Sequence, residues 1–380
     1  MNVNLTANHN RNTRSGLSYV YASYVLNNYA GYVAVIDPNT DEIIKRISTG
    51  QNPTAMCLTP SGDKLYVADE TGNVVFVYST DNFRLLGGIA VGSKPAAIFI
   101  ESSGNKGYIA SYEASSVIIF DAHTYSIITT KNIKNYGMPF AIASNEKSPY
   151  VYIACKRDPA LGDSVLAFDI NDTGANVISI GPDLKRVYDS TRNPLIVHPN
   201  GHTLIELADV GVLNYADFTG NFTSNTTSFL DNTVSGVYLD NGWLFCTMRE
   251  ERDFLKVFEN LDIDVYGNIT SEYSKEIPSY KSQDKIRTSL NQKYVGVTLQ
   301  PTYNPAGKLQ IIDVDSFNSR FFEFDLVGDL AFYSDSKAYV GEVSRVRPVN
   351  LATGTTIPII DVAGNYMVRN IISGYSNQSS

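Results

Sequence analysis

The stretch "TPSGDKLYVADETGNVVFVY", Thr59 to Tyr78, decides the fold. It holds two short apolar runs, one preceded by the turn residues Ser61-Gly62 and the two separated by Thr71-Gly72-Asn73. Gly and Asn accept the positive φ that tight hairpins need, so the local reading is strand, turn, strand. The same grammar returns as "ESSGNKGYIA" at Glu101, "SNEKSPYVYIA" at Ser144, "HPNGHTLIEL" at His198, "LDNGWLFCT" at Leu239, "SLNQKYVGV" at Ser289 and "SDSKAYVGE" at Ser334. The stretch is therefore one copy of a unit that the chain repeats.

A second mark follows each copy. It is a β-rich run that ends in a small or acidic residue, first seen as "VAVID" closing at Asp37. Its counterparts end at Ser79, Asp121, Asp169, Ala216, Glu259, Asp313 and Asn350, with steps of 42, 42, 48, 47, 43, 54 and 37 residues. A period near 40 to 45 with four strands per unit is the mark of a β-propeller blade, and no helical periodicity competes with it. In the first complete unit the strands read as Thr54 to Leu58, Leu65 to Ala68, Val74 to Tyr78 and Phe83 to Ala90. The first of these, apolar on both sides, is expected to line the central channel.

Closure fixes the count. Eight marks lie between Asp37 and Asn350, and the remaining arc through the two termini holds 67 residues, one blade plus two tails. The chain opens with a second-type strand, "LSYVYASYV", and ends with a first-type strand, "NYMVRNIIS". Tyr366 to Ile372 is thus expected to pair with Ser18 to Tyr24, a shared blade that removes the open sheet edges. The reading is a single all-β propeller of eight four-stranded blades, with seven as the alternative. It spans residues 17–373, with tails at 1–16 and 374–380.

The segment "VAVIDPNTDEIIKRISTGQNPTAMCLTPSGDKLYVAD", Val33 to Asp69, carries V-x-V-I-D, I-x-x-G-x-x-P and P-x-G-x-x-x-Y-V in order. In these motifs the chain resembles the YVTN-repeat propellers, and the likeness runs through about Asp169. Members of that family look like surface-layer and extracellular binding proteins, with relatives among lactonases and quinoproteins. The resemblance supports the fold more than any activity.

Composition excludes several classes. A formal charge of −9 and a pI near 5.0 repel phosphate backbones, so nucleic acid is not an expected partner. The N-terminus "MNVNLTANHNRNTRSG" lacks an apolar signal core and no run reaches the length of a membrane span. The expectation is a soluble chain without membrane insertion that is cytoplasmic, exported by another route or particle-associated. Cys57, Cys155 and Cys246 stand far apart in apolar runs and read as buried free thiols.

Chemistry-bearing motifs are sparse. His198 and His202 in "HPNGH" flank a hairpin turn that matches "TPSGD", which argues against zinc. "DIDVYGNITSE" from Asp262 and "DINDTGAN" from Asp169 imitate calcium loops but read as hairpin connections. Neither a G-x-S-x-G elbow nor a phosphate-binding glycine loop is present. No metal and no cofactor is expected, and Trp243 alone offers a broad stacking surface for a quinone.

Sorting the loops by face gives the candidate site. In a propeller the loops between second and third strands emerge with the blade-to-blade loops at one end. Here that end is expected to collect Glu70, Glu113, Lys156, Arg157, Asp158, Arg249, Glu250, Glu251, Arg252 and Arg345. Such a mixed-sign mouth suits an anionic or polar ligand, or a partner's charges. The main functional expectation is a non-enzymatic scaffold that binds a protein or glycan, in an oligomer or a larger surface or virion assembly. The alternatives are a lactonase- or lyase-like enzyme with Arg249, Glu250 and Arg252 as catalytic candidates, and a redox-cofactor propeller.

Overall fold

The acidic mark that ends the third strands is a turn starter. Asp37 Oδ1 accepts the amide of Asn39 at 2.9 Å, Asp121 Oδ1 those of His123 and Thr124 at 2.9 and 2.7 Å, and Asp169 Oδ1 that of Asn171 at 2.8 Å. Asp313 and Asn350 do the same for Ser316 and for Ala352 and Thr353. In these blades a short side-chain acceptor folds the backbone over and so launches the fourth strand. Earlier in the unit, Gly62 (φ 70°) and Asn73 (φ 52°) supply the left-handed backbone expected of their turns.

The computed structural model describes residues 19–373, apart from 28, 159, 173–175, 181–192, 210, 217–220, 228–229, 250–251, 260, 262–273, 301–305, 357–359 and 363–367. The described strands form eight four-stranded antiparallel sheets. Blade 2 is made of Pro53–Leu58, Lys64–Asp69, Val74–Ser79 and Leu85–Ala90, so the opening stretch is its second and third strands with the turns around them. Its fourth strand starts two residues later than the sequence suggests, because Phe83 (φ 59°) belongs to the turn. The innermost strands of blades 3 to 8 are Pro95–Ile100, Met138–Ala143, Leu195–Val197, Thr233–Tyr238, Gln283–Thr288 and Leu330–Ser334. Each contacts the next around the ring.

Blade 1 closes the circle. Its outer strands are Val20–Val25, Gly31–Asp37 and Glu42–Ser48, and its innermost strand, Asn370–Ser373, comes from the other end of the chain. The register runs Val20↔Ser373, Tyr21↔Ile372, Ala22↔Ile371 and Ser23↔Asn370. The expected pairing of Tyr366 to Ile372 with Ser18 to Tyr24 is present from Asn370 to Ile372 and runs on to Ser373, while Ser18, Tyr366 and Met367 lie outside the described residues. The innermost strand of blade 1 touches those of blades 8 and 2, so the ring has eight blades.

The core lies between blades. Side chains of each sheet pack on the next, as where Tyr66, Ala68 and Val75 of blade 2 meet Ile109, Ile118 and Phe120 of blade 3. The described residues contain no α-helix. No helix is long and apolar enough to cross a membrane among them.

Candidate functional site: the axial cavity and its charged mouth

Asp69 ties the two loop types of one end together. Its buried carboxylate accepts the amides of Gln51 and Asn52, from the loop entering blade 2, at 3.3 and 2.9 Å, and that of Thr71, from the second-to-third loop, at 3.3 Å. A cluster grows on this frame. Lys94, from the loop entering blade 3, reaches Glu113 at 2.5 Å and Glu70 at 3.9 Å. Asn52 donates to Glu70 at 2.5 Å and Ser93 to Glu113 at 2.9 Å. The bond from Lys94, with that from Ser93, holds the Glu113 carboxyl below its ordinary value, and the same contact raises the Lys94 ammonium. Glu70 and Glu113, predicted for the mouth, thus share one cation that the loop sorting had overlooked.

The other predicted residues stay within their own loops. Lys156 bonds the buried Asp163 at 2.8 Å, whose other oxygen takes the Arg157 amide at 2.8 Å. Asp158 caps the turn through the Ala160 amide at 2.8 Å. The Arg252 guanidinium lies 5.9 Å from the Phe254 ring centroid, and the amide of Arg249 bonds the Asn232 carbonyl. Arg345 faces Asp325 and Asp361 at 3.6 and 3.9 Å. Glu250 and Glu251 lie outside the described residues. Lys94 joins Glu70 to Glu113 across two blades, whereas Asp163 joins Lys156 and Arg157 within one loop.

From this mouth a cavity of about 770 Å³ follows the ring axis, bordered at one end by Glu70 and Lys94 and at the other by Asn145, Glu146, Lys147 and Asp240. Its wall corrects the expectation of innermost strands that are apolar on both sides. In Gln283–Thr288, Lys285, Ile286 and Arg287 all border the cavity, Ile286 buried in the inter-blade core and the two cations flanking it half-buried. Arg287 donates to Asp329 Oδ1 of blade 8 at 3.3 Å and to the Ile286 carbonyl at 3.0 Å. Asp329, 2% exposed, also accepts the amides of Leu330 at 2.9 Å and Ile371 at 3.2 Å. Asn370 continues the polar belt by donating to the Thr54 carbonyl at 2.8 Å, and Thr54 donates to the Pro95 carbonyl at 3.0 Å.

Sequence reasoning passed over "QDKIRT" because blades after Ala216 are degenerate. The available signal was a Lys-x-Arg pair at a first-strand position, where blade 2 carries Ala55 and Cys57. Fixing Arg287 with a buried carboxylate leaves a preorganised guanidinium, whose five donors exceed these two bonds.

The remaining motifs are structural. His198 Nδ1 accepts the Asn200 amide at 3.1 Å and Nε2 meets the Tyr238 hydroxyl at 2.9 Å, while Gly201 takes φ 78°, so "HPNGH" is a hairpin turn. The described part of the Asp169 loop is a turn, and Asp262 to Glu272 falls outside the described residues. Trp243 stacks on Phe317 at 5.1 Å, which occupies that face of its ring. The three cysteines are free and buried. Among the described residues no group of three or more His, Cys, Asp or Glu could hold a metal.

No family model matches the chain, and no curated protein matches it. Membership of the YVTN family therefore has no support from those comparisons. Solved structures do match. A dihydro-heme d1 dehydrogenase, NirN, in complex with DHE is similar over 95% of this chain and 76% of its own, with TM-score 0.73 and 11% identity. AztD from Citrobacter koseri, in its apo form, is similar over 93% and 96%, with TM-score 0.65 and 12% identity. A putative 6-phosphogluconolactonase from Bacteroides uniformis is similar over 81% and 97%, with TM-score 0.53 and 11% identity.

These likenesses correct the main functional expectation. The neighbours' names include a dehydrogenase and a putative lactonase and no scaffold, which runs against the expected non-enzymatic scaffold, and that expectation is dropped. Identities this low carry the fold alone. The chain is an all-β propeller of four-stranded antiparallel blades around an axial cavity.

Proposed function

We propose that this propeller is a small-molecule enzyme of the hydrolase or lyase sort that binds an anionic substrate in its axial cavity. The carrying observation is the pair Lys285 and Arg287 on one strand of the cavity wall, with Arg287 fixed by the buried Asp329. Two cations on one wall suit a carboxylate or the carbonyl of a lactone, whose oxygen gains negative charge as water adds. Asp329 is a positioning residue, since its oxygens are taken by Arg287 and two backbone amides. The likeness to a putative 6-phosphogluconolactonase propeller supports a lactone as the first substrate class to try.

At the mouth, Glu70, Glu113, Lys156, Arg157, Asp158, Arg249, Arg252 and Arg345 would give a mixed-sign rim that guides a charged ligand toward the axis, with Glu250 and Glu251 outside the described residues. Kinship with the YVTN-repeat propellers rests on the motifs of Val33 to Asp69. A lactone-hydrolysis panel tests the reading, comparing the wild-type chain with Lys285→Gln, Arg287→Gln and Glu250→Gln. Loss of about a hundredfold in kcat/KM in the first two supports the cavity. Loss in Glu250→Gln alone would move the chemistry to the rim, and equal silence from all chains would sink the enzyme.

A further inference from the structure

The cavity wall differs from one side to the other. Blades 7 and 8 bring Lys285, with Asp284 3.7 Å from its ammonium, Arg287 and the Arg287-bound Asp329 to it. In a ring of eight, the blades across the axis from these are 3 and 4. On the bodies of their innermost strands those blades line the cavity with Ile98, Phe99 and Phe140. Phe99 is half-buried against Tyr108, with ring centroids 6.5 Å apart, and Phe140 is buried in the core between blades 4 and 5. Packing therefore holds both rings at the wall. A cationic side and an aromatic side face each other across one space.

We infer that the ligand is an amphipathic anion, an organic acid or its lactone with an apolar or aromatic body. This rests on the reading that an anion binds in the cavity. The anionic group meets Lys285 and Arg287, and the body lies against Phe99 and Phe140. A fully hydroxylated acid would desolvate its hydroxyls against the two rings with no partner for them. A neutral apolar ligand would strip water from the cations and return nothing. The volume of about 770 Å³ lies within the range of small-molecule sites, roughly 300 to 1,000 Å³, and leaves room for a body several carbons larger than the charged group.

Calorimetric titration with three probes tests this: 4-phenylbutyrate, acetate and 4-phenylbutan-1-ol. The expected result is that 4-phenylbutyrate binds about tenfold or more tighter than either of the others. Lys285→Gln and Phe99→Ala should each weaken it by about tenfold, as expected for one charged contact or one partly buried ring. Phe99→Leu, which keeps apolar volume, serves as the second variant should Phe99→Ala fail to fold, and Arg287→Lys does so for the cationic side. Equal Kd values for acetate and 4-phenylbutyrate, both weakened by Lys285→Gln, would overturn the amphipathic ligand and leave the anion reading standing. Binding of 4-phenylbutyrate that ignores Lys285→Gln and Arg287→Lys alike would overturn both, as would failure of all three probes to bind at millimolar concentration.

Discussion

The Tyr339 hydroxyl donates a 2.5 Å hydrogen bond to Asp41 Oδ1, while Lys337 Nζ sits 2.7 Å from the other oxygen of the same carboxylate. The contact joins blade 8 to blade 1, the seam where the two ends of the chain meet. It elaborates a tie that the repeat uses elsewhere. Lys64 and Tyr66 of blade 2 both reach the Ala122 carbonyl of blade 3, at 3.4 and 2.9 Å, and Lys106 of blade 3 reaches the Ile170 carbonyl of blade 4 at 2.6 Å. The Lys-x-Tyr at the head of a second strand is thus an inter-blade strut, and of these three the one at the closing seam reaches a carboxylate of the next blade.

That difference predicts unequal costs. Tyr339→Phe should lower stability by about 2 kcal/mol, as for a bond to a charged acceptor, and Tyr66→Phe by about 1 kcal/mol. Denaturant midpoints of the two variants measure both. Equal losses would mean that the carboxylate at the seam adds nothing.

Alkaline pH should weaken the fold. Burial, the largest cause in each case, raises the phenols of Tyr21, Tyr66, Tyr108, Tyr152 and Tyr339, and lifts Tyr78 to about 12 from its ordinary 10.0. The unfolded chain releases these protons near pH 10 while the folded chain keeps them, so the folded state binds more protons there. Stability is therefore fully present below about pH 10 and falls as pH rises through the folded values. Denaturant midpoints that stay level from about pH 9 to about pH 11 would contradict this. Tyr339→Phe should show a shallower decline than wild type.

The thiols should be silent in the folded chain. Burial pushes Cys57 up to about 12 and raises Cys155 and Cys246 as well, and all three are inaccessible. A thiol reagent should find none before unfolding and three per chain after it. Fewer than three after unfolding without reductant would reveal a disulfide that the fold does not contain.

Gly107 should resist substitution. It stands opposite Phe120, where blade 2 sets Leu65 against Tyr78, and a Cβ there would overlap the Phe120 ring and crowd Ile100. Gly107→Ala should cost about 1 to 3 kcal/mol through overpacking. Phe120→Leu in the same chain should recover part of the loss, a coupling that a double-mutant cycle reads directly.

Most of the fold was legible in the chain. Turn chemistry is local: an Asp that folds its own backbone, as Asp121 does for His123 and Thr124, acts within three residues of itself. The strand-ending mark that holds such residues recurs in steps of 37 to 54 residues and so counts the blades without reference to any neighbour. The mouth was legible only in part. That Glu70 and Glu113 share an end follows from strand order, but their meeting on Lys94 depends on the path of the loop entering blade 3.

By itself the sequence determined the repeat, the strand order within a blade and the pairing of the two ends, because each follows from local turns and a fixed period. The tertiary structure alone decided what faces what across the axis. Lys285 and Phe99 lie in blades nearly two hundred residues apart, and nothing in either segment states that they stand half a turn apart around the ring. Only when the circle closes through Val20 and Ser373 does the cationic strand come to lie opposite the aromatic ones. Ring closure converts position along the chain into angle about an axis, and the chemistry of the cavity depends on that angle.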